Sequence, residues 1–462
     1  VGEEKIEKGE YGRMDRLMAF NDWLNGIVWG PYMLVLLVGT GIYLTFRNNF
    51  LQVSKFGYMW KNTIGKMLEK PEGAEGDITP FQALATALAA TIGTGNIAGV
   101  ATAIATGGPG AVFWMWFSAF FGMVTKFGEV VLAVRYREKK PDGTWAGGPM
   151  YYISKGLGDK WKWLAALFAF FGVFASFGIG NMTQANSMAD VMATTFSIPH
   201  NVTGIVILVL AGLVIVGGIK RIAQVTEKLV PFMAIFYVVG GLIILATRLS
   251  AIPEAFALIF RHAFTPTAAV GGFAGATIQK AMTLGVARGV FSNEAGLGSA
   301  PIAHATAQTD HPVRQGLWGI FEVFADTIVV CSITALSIIV TGAWQSGETG
   351  ASLTSHAFNL GLPGPGGVIV AIGVLLFAYS TLISWAFYGE KCFEYLVGTR
   401  TAKLYRYVFL PFIYIGAVGA LEPIWLLSDT LNGLMAVPNL IGLLGLSGVI
   451  IKLTREYFTE RA

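Results

Sequence analysis

The sequence predicts an all-α integral membrane protein in which eleven helices cross the bilayer, ten of them as a 5+5 inverted repeat behind one extra N-terminal helix. Three observations carry that prediction. The 462 residues are 54% hydrophobic and only 13% charged, with a mean hydropathy of +0.60. The apolar runs are long enough for helices to cross about 30 Å of hydrocarbon, whereas membrane strands would be shorter and alternating. Two of those runs, five spans apart, have polar, glycine-rich centres.

Residues 1–23 read as a solvated N-terminal extension on the outer side: Val1 to Arg16 is dense in Glu and Lys, and no cleavable signal peptide precedes the first long run. The extra span is placed at 24–46. Ten more follow at about 81–105, 109–135, 162–194, 201–218, 229–247, 270–303, 316–341, 366–390, 407–421 and 425–450. Segments 51–68, 148–157, 251–262 and 352–360 read as short interfacial helices or structured loops. The two halves cover 79–248 and 268–455.

Taken alternately, one set of loops collects Arg47, Lys61, Lys70, Arg135, Arg137, Lys139, Lys140, Lys220, Arg314, Lys391, Arg406, Lys452, Arg461 and others. The opposite set holds Arg248 and Arg261, besides Lys5, Lys8, Arg13 and Arg16 of the extension. Loops rich in Lys and Arg stay in the cytoplasm, which puts the N-terminus outside, the C-terminus inside and the chain in the cell membrane. Cys331 and Cys392 fall in or beside different apolar runs, so they form no disulfide framework or metal-ligand spacing and read as small core residues.

The first interruption is Thr91-Ile92-Gly93-Thr94-Gly95-Asn96-Ile97-Ala98-Gly99. Unwound backbone at membrane depth survives only where protein buries it or it lines a cavity. Either it exposes N–H groups of a resumed half-helix to an anionic group, or it is a small-residue packing face. The second polar span contains Met282 to Gly296, whose Asn293-Glu294-Ala295-Gly296 echoes Asn96-Ile97-Ala98-Gly99. Five spans is an odd number, so the halves are inverted, and paired broken helices mark one class of secondary transporter.

Carbonyls of Ala89 and Ile92, freed by the break, would form an oxygen cage for a sodium ion with the Ala378 carbonyl and the hydroxyls of Ser380 or Thr381. The alternative is that these hydroxyls bond the preceding helical turn. Lys126, Glu129, Lys280, Arg288, Glu294, Glu322 and Asp326 lie within spans, where charges face cavities or one another. Lys126 and Glu129 are spaced to pair, and Glu322 and Asp326 repel unless Arg288 or Lys280 sits between them. Gln82, Phe177, Asn181 and Trp385 are placed around the breaks by position.

Gly107-Gly108-Pro109-Gly110-Ala111-Val112-Phe113-Trp114-Met115-Trp116-Phe117-Ser118-Ala119-Phe120-Phe121-Gly122 strongly resembles the signature of the alanine or glycine:cation symporter family. Thr79-Pro80-Phe81-Gln82-Ala83-Leu84, the Gly93 to Gly99 break, Ala146-Gly147-Gly148-Pro149-Met150-Tyr151-Tyr152 and Phe291-Ser292-Asn293-Glu294-Ala295-Gly296 are similar to the same family. The resemblance covers about residues 24–455. It implies a LeuT-like fold of the amino acid-polyamine-organocation superfamily and sodium-coupled uptake of alanine or glycine. It further implies that the amino acid meets Thr91, Gly93, Thr94 and Gly95 on the first break and Gly285, Phe291 and Ser292 on the second. Sodium would then sit with Ala89, Ile92, Ala378, Ser380 and Thr381. Phe177 and Trp385 would restrict the pocket to small side chains.

A proton-coupled carrier using Glu294, Glu322 or Asp326 is the alternative. A channel fits poorly with the aromatic density, and no paired catalytic residues, metal cluster or phosphate loop suggests an enzyme. The expected partners are a small neutral amino acid, co-transported sodium and the lipid bilayer, with no nucleic acid. Nothing in the sequence specifies an oligomeric state.

Overall fold

A computed structural model describes residues 18–67, 69, 74–419 and 422–460. Most of the expected extension, residues 1–17, lies outside them, as do Lys70 and Arg461 and the ends of the expected segments at Leu68 and Leu421. The described chain opens with α1 (Met18–Arg47), interrupted at Gly30, whose backbone is extended, with Pro31 opening its second part. After two short helices, Leu51–Ser54 and Phe56–Asn62, comes α2 (Pro80–Thr91). Its start is encoded locally: the Thr79 hydroxyl accepts the Gln82 backbone N–H, the Gln82 side chain accepts the Thr79 N–H, and Pro80 occupies the first turn.

α3 (Gly95–Gly107) resumes after a bend of 50°. α4 (Gly110–Arg135) follows, then a two-stranded hairpin of β1 (Glu138–Lys139) and β2 (Trp145–Ala146). α5 (Asp159–Phe196), α6 (His200–Ile215) and α7 (Gly218–Thr247) complete the first half of the chain. The amphipathic α8 (Ile252–Phe264) leads to α9 (Ile278–Asn293), a break, and the short α10 (Pro301–His304). Beyond them lie α11 (Pro312–Val340), α12 (Gly350–Gly361), α13 (Gly366–Val397), α14 (Leu404–Val418), α15 (Glu422–Gly445) and α16 (Ser447–Thr459).

Among the described residues six helices are long and apolar enough to cross a membrane, and two bent pairs pass as single spans. With α6, α9 followed by α10, and α14, the helices fall in the eleven places read from the sequence. The last expected span, 425–450, is cut short: α15 ends at Gly445 and the chain turns by 57° into α16. The four interfacial segments are all helical, α8 and α12 among them.

The second break is displaced from its expected centre. α9 runs unbroken through Gly285, and the chain opens only at Glu294, with φ +55°, followed by Gly296 at +93° and Gly298 at +85°. These two glycines supply left-handed backbone at little steric cost. Gly285 serves packing instead. A Cβ there would collide with the Ala111 carbonyl and approach Trp114 Cβ at 2.8 Å, so its lack of a side chain lets α9 lie directly on α4. The long Gly107 to Gly122 signature is thus a structural seam: Trp114 donates to the Ala263 carbonyl of α8 at 3.1 Å, and Trp116 donates to Ser332 of α11 at 2.8 Å.

Candidate transport site

At the first break the regular ladder stops with Ile92 N–H donating to Leu88 at 2.7 Å. The next donor, Gly93 N–H, is taken by the Asn96 side-chain oxygen at 2.9 Å, while Asn96 N–H returns to the Gly93 carbonyl at 3.2 Å. Asn96 therefore caps the break from within, and a wide turn from Gly95 to Gly99 carries the chain into the second half-helix. Gly93 N–H is consequently occupied, which moves any anion contact to Thr94 and Gly95.

The two breaks meet on one carboxylate. Asp326 of α11 accepts from Asn96 Nδ2 at 2.6 Å and from the Ser292 hydroxyl at 3.0 and 3.2 Å. Its neighbour Thr327 donates a further bond at 2.8 Å, and Asp326 is fully buried. On the other side of the second break, Glu129 of α4 accepts the Gly296 N–H at 3.0 Å and Asn439 Nδ2 at 2.5 Å, while Asn439 also donates to the Gly296 carbonyl. Backbone freed by the break is thereby satisfied by buried side chains.

The charge pairing differs from the expected one. Lys126 pairs with Glu322 across α4 and α11 at 3.3 Å, not with Glu129 three residues along its own helix. Glu322 also accepts the Thr91 hydroxyl and contacts His304 Nε2, each at 2.9 Å, and Gln315 bonds the other His304 nitrogen at 2.8 Å. His304 thus serves Glu322, while Glu294 accepts the Ser299 hydroxyl. Neither Arg288 nor Lys280 separates Glu322 from Asp326; Arg288 lies over the Phe291 ring at 5.6 Å. Helix spacing identifies residues on one face, but a 26-residue helix packed on several neighbours offers cross-helix partners that spacing does not reveal.

A pocket of about 30 Å³ lies between the breaks, lined by Ala90, Thr91, Gly93, Thr94, Gly95, Ile179, Gln184, Phe291, Ser292, Glu294, Thr381, Trp385 and Asn432. Seven expected binding residues line it: Thr91, Gly93, Thr94, Gly95, Phe291, Ser292 and Trp385. Four others are elsewhere. Gln82 is spent on the α2 cap and a 2.8 Å bond to Glu227, nine residues and about 13 Å of helix below Thr91. Phe177 packs against Tyr405, Phe409 and Phe412, and Asn181 donates to the Phe409 carbonyl at 2.8 Å. Neither lines the pocket; a wide turn over Gly178–Met182 interrupts α5 here, and from this stretch Ile179 and Gln184 face the pocket instead. Gly285 is in the α4 seam described above.

Gln184 and Asn432 line the pocket and are polar residues that sequence reasoning missed. Each is buried with a side-chain carbonyl oxygen lacking a protein donor, and each lines the pocket. The signal was present in Thr183-Gln184-Ala185-Asn186-Ser187, a polar run inside an apolar span. Above Phe291 a second, larger cavity of about 860 Å³ shares Thr94, Gly95, Ile179 and Phe291 and opens between α5, α12 and α15, at the end opposite the basic loops.

Beside the pocket, the hydroxyls of Ser380 and Thr381 both lie 3.1 Å from the Ala89 carbonyl, and Thr381 lies 3.3 Å from that of Ala90. The same hydroxyls bond the Phe377 carbonyl of their own helix at 2.9 Å, so the local and the cross-helix readings both hold. Ile92 and Ala378 are buried nearby in sequence, but the two hydroxyls reach Ala89, Ala90 and Phe377. The donor set is oxygen alone, as hard monovalent and alkaline-earth cations require. Among the described residues no group of three His, Cys, Asp or Glu side chains is placed to hold a metal ion.

The profile of the sodium:alanine symporter family matches residues 14–462. The chain belongs to that family. It is 54% identical to the sodium/alanine symporter AgcS of Methanococcus maripaludis over 94% of this chain and 96% of that one. It is 38% identical to the probable sodium/glutamine symporter GlnT of Bacillus subtilis, over 95% and 90% of the two chains. A manganese transporter from Eremococcus coleocola, solved with an aromatic bis-isothiourea compound, superposes with a TM-score of 0.52 over 83% of this chain and 82% of its own, at 12% identity. That likeness concerns the fold alone, which is LeuT-like. Family membership makes the protein a multi-pass membrane carrier and a sodium-coupled amino-acid symporter, not an enzyme.

Proposed function

We propose that the protein carries alanine and glycine into the cell with sodium, by alternating access around the pocket between its two broken helices. The observation that carries this reading is that one small pocket is walled by both breaks and adjoined by the Ala89, Ser380 and Thr381 oxygens. In this reading Thr94 and Gly95, at the start of α3, hold the substrate carboxylate against the positive end of the half-helix. The Gln184 and Asn432 side-chain oxygens accept from its ammonium group.

Size selection follows from the walls. Phe291, Trp385 and Ile179 surround a space of about 30 Å³, where one water needs about 10–15 Å³, and a longer side chain would overpack it. Sodium is cargo held by Ala89, Ser380 and Thr381, with Ile92 and Ala378 supplying further carbonyls once the cation draws them in. The basic end is cytoplasmic, so the 860 Å³ cavity faces outside and the conformation is outward-facing. Residues 79–248 and 268–455 are the two inverted units that rock around the site.

Purified protein in proteoliposomes tests this. Radiolabelled alanine uptake should require an inward sodium gradient and show counterflow, with glycine competing and bulky amino acids failing to compete. Equal uptake under a proton gradient without sodium would overturn the cation assignment in favour of Glu294 or Asp326 as the coupling group. Ohmic single-channel current would overturn the carrier itself.

A further inference from the structure

Arg135 closes α4 and the basic stretch after it contains Arg137, Lys139 and Lys140, a charge that by itself is what the positive-inside rule expects of a cytoplasmic loop. Arg137 differs from its neighbours in where its guanidinium goes. Nη1 donates to the Ala305 carbonyl at 3.0 Å and the Ala307 carbonyl at 2.6 Å, and Nη2 donates to the Glu75 carbonyl at 2.8 Å. The group lies 4.5 Å from the Trp145 ring centre on the hairpin, and Trp145 N–H donates to Asp77 at 2.8 Å.

The carbonyls it joins belong to two segments far apart in sequence. Residues 75–78 lead into α2, the half-helix before the first break, and residues 305–308 leave α10, the half-helix after the second. These segments also pair directly, as a parallel bridge between Ile78 and Ala307 with Asp77 N–H to Thr306 and Gln308 N–H to Ile78, each 2.8 Å. Gly76 makes the approach possible, because a Cβ there would collide with the Gln308 backbone. The basic end is thus sealed where the two broken helices emerge, while the large cavity opens at the other end.

We infer that Arg137 is the latch of the cytoplasmic gate: it holds residues 75–78 to residues 305–308 while the carrier faces outward, and it must let go of one segment for the site to open inward. The inference rests on the alternating-access reading above. A planar fork with several fixed donors suits one side chain to three carbonyls; the ammonium of lysine is a point charge that cannot span them all with the same geometry. Arg137 acts on the transport site only through the two segments, and so is a positioning residue.

Hydrogen–deuterium exchange on the reconstituted carrier tests this, together with alanine affinity measured from each face. In Arg137→Ala, peptides carrying the Asp77, Ile78 and Gln308 amides should exchange at least about tenfold faster, as expected for loss of about 1.4 kcal/mol or more of latch stability. Peptides from α4 and α13 should not change. The ratio of apparent affinity on the cytoplasmic face to that on the outer face should rise by a similar factor, and Arg137→Lys should give intermediate values. Wild-type exchange, or faster exchange with an unchanged affinity ratio, would overturn the latch and leave Arg137 a loop brace. Should Arg137→Ala fail to fold, Arg137→Lys decides alone by the same two readouts. Sodium-driven uptake by the wild type tests the carrier reading separately, so a normally transporting wild type with an unaltered variant sinks the latch only.

Discussion

Asn96 Nδ2 and Asp326 Oδ1 lie 2.6 Å apart in a fully buried contact, and the same carboxylate takes the Ser292 hydroxyl from the other break. One acceptor on α11 therefore holds both interrupted helices. Asp326→Asn keeps the shape but turns an acceptor into a group that also donates, leaving buried donors competing for one oxygen. Each buried polar group left unmet costs about 1–3 kcal/mol. Expected is a lower melting temperature in detergent and a weaker apparent alanine affinity in uptake. Unchanged values of both would show that Asp326 does not join the breaks.

Thr381→Ala removes one hydroxyl from the oxygen cluster around Ala89. Losing one ligand or hydrogen bond of about 1.4 kcal/mol raises the sodium concentration for half-maximal uptake about tenfold. Preference for alanine over larger amino acids should persist, because the walls at Phe291 and Trp385 are untouched. Titration of alanine uptake against external sodium reads both, and an unaltered sodium dependence removes Thr381 from the cation site.

Gly93 faces Thr381 so closely that an added Cβ would sit 2.7 Å from its Oγ1. Gly93→Ala should therefore displace the hydroxyl and weaken sodium dependence in the same direction as Thr381→Ala. In a Thr381→Ala background the clash is absent, and the second substitution should add little. A double-mutant cycle on the sodium half-saturation constant measures this coupling. Additive effects would place the two residues in separate functions.

Lys126 and Glu322 form a pair with no exposed surface on either side chain. Lys126→Met leaves the carboxylate with Thr91 and His304 alone. Breaking one partner of a buried pair typically costs about 3–5 kcal/mol, whereas neutralising both restores much of it. Thermal melts should show Lys126→Met strongly destabilised and Lys126→Met/Glu322→Gln closer to wild type. A double variant worse than the single one would contradict the pairing.

Glu138, on the hairpin outside the membrane, shows a pH dependence of definite sign. Burial pushes its carboxyl up, but the bonds and charges of Lys140 and Lys155, each 2.5 Å away, outweigh this and hold it below the usual glutamate range. A depressed folded value means stability that is present above the usual range and lost as pH falls through the folded value. The melting difference between wild type and Glu138→Gln should be constant from neutral pH to about pH 5, begin to shrink as pH falls past the ordinary glutamate value of about 4.3, and vanish only below the depressed folded value. A difference that grows on acidification would reverse the assignment.

Much of the fold was legible because membrane helices announce themselves by length and hydropathy, and Thr79-Pro80-Phe81-Gln82 encodes its own helix start. The first break was legible for the same local reason: Gly93 and Gly95 weaken a helix wherever they stand. The second was harder. Glycines in Met282 to Gly296 are of two kinds, and only Gly296 adopts left-handed backbone, whereas Gly285 and Gly289 are contacts with α4. Phe177 packs on α14 and Asn181 bonds its Phe409 carbonyl, while Ile179 and Gln184 face the pocket; the wide turn in α5 that alters the helix phase there leaves no mark in hydropathy.

The sequence by itself determined the membrane class, the approximate span positions and the place of the first break, since these depend on the solvent that each residue type prefers and on local backbone freedom. Partnership was decided by tertiary structure alone. Lys126 meeting Glu322, Asp326 spanning Asn96 and Ser292, and Arg137 joining residues 75 and 305 all link distant segments. A buried charge or donor must find a partner, but which one it finds depends on how the helices pack, and no local rule of spacing contains that information.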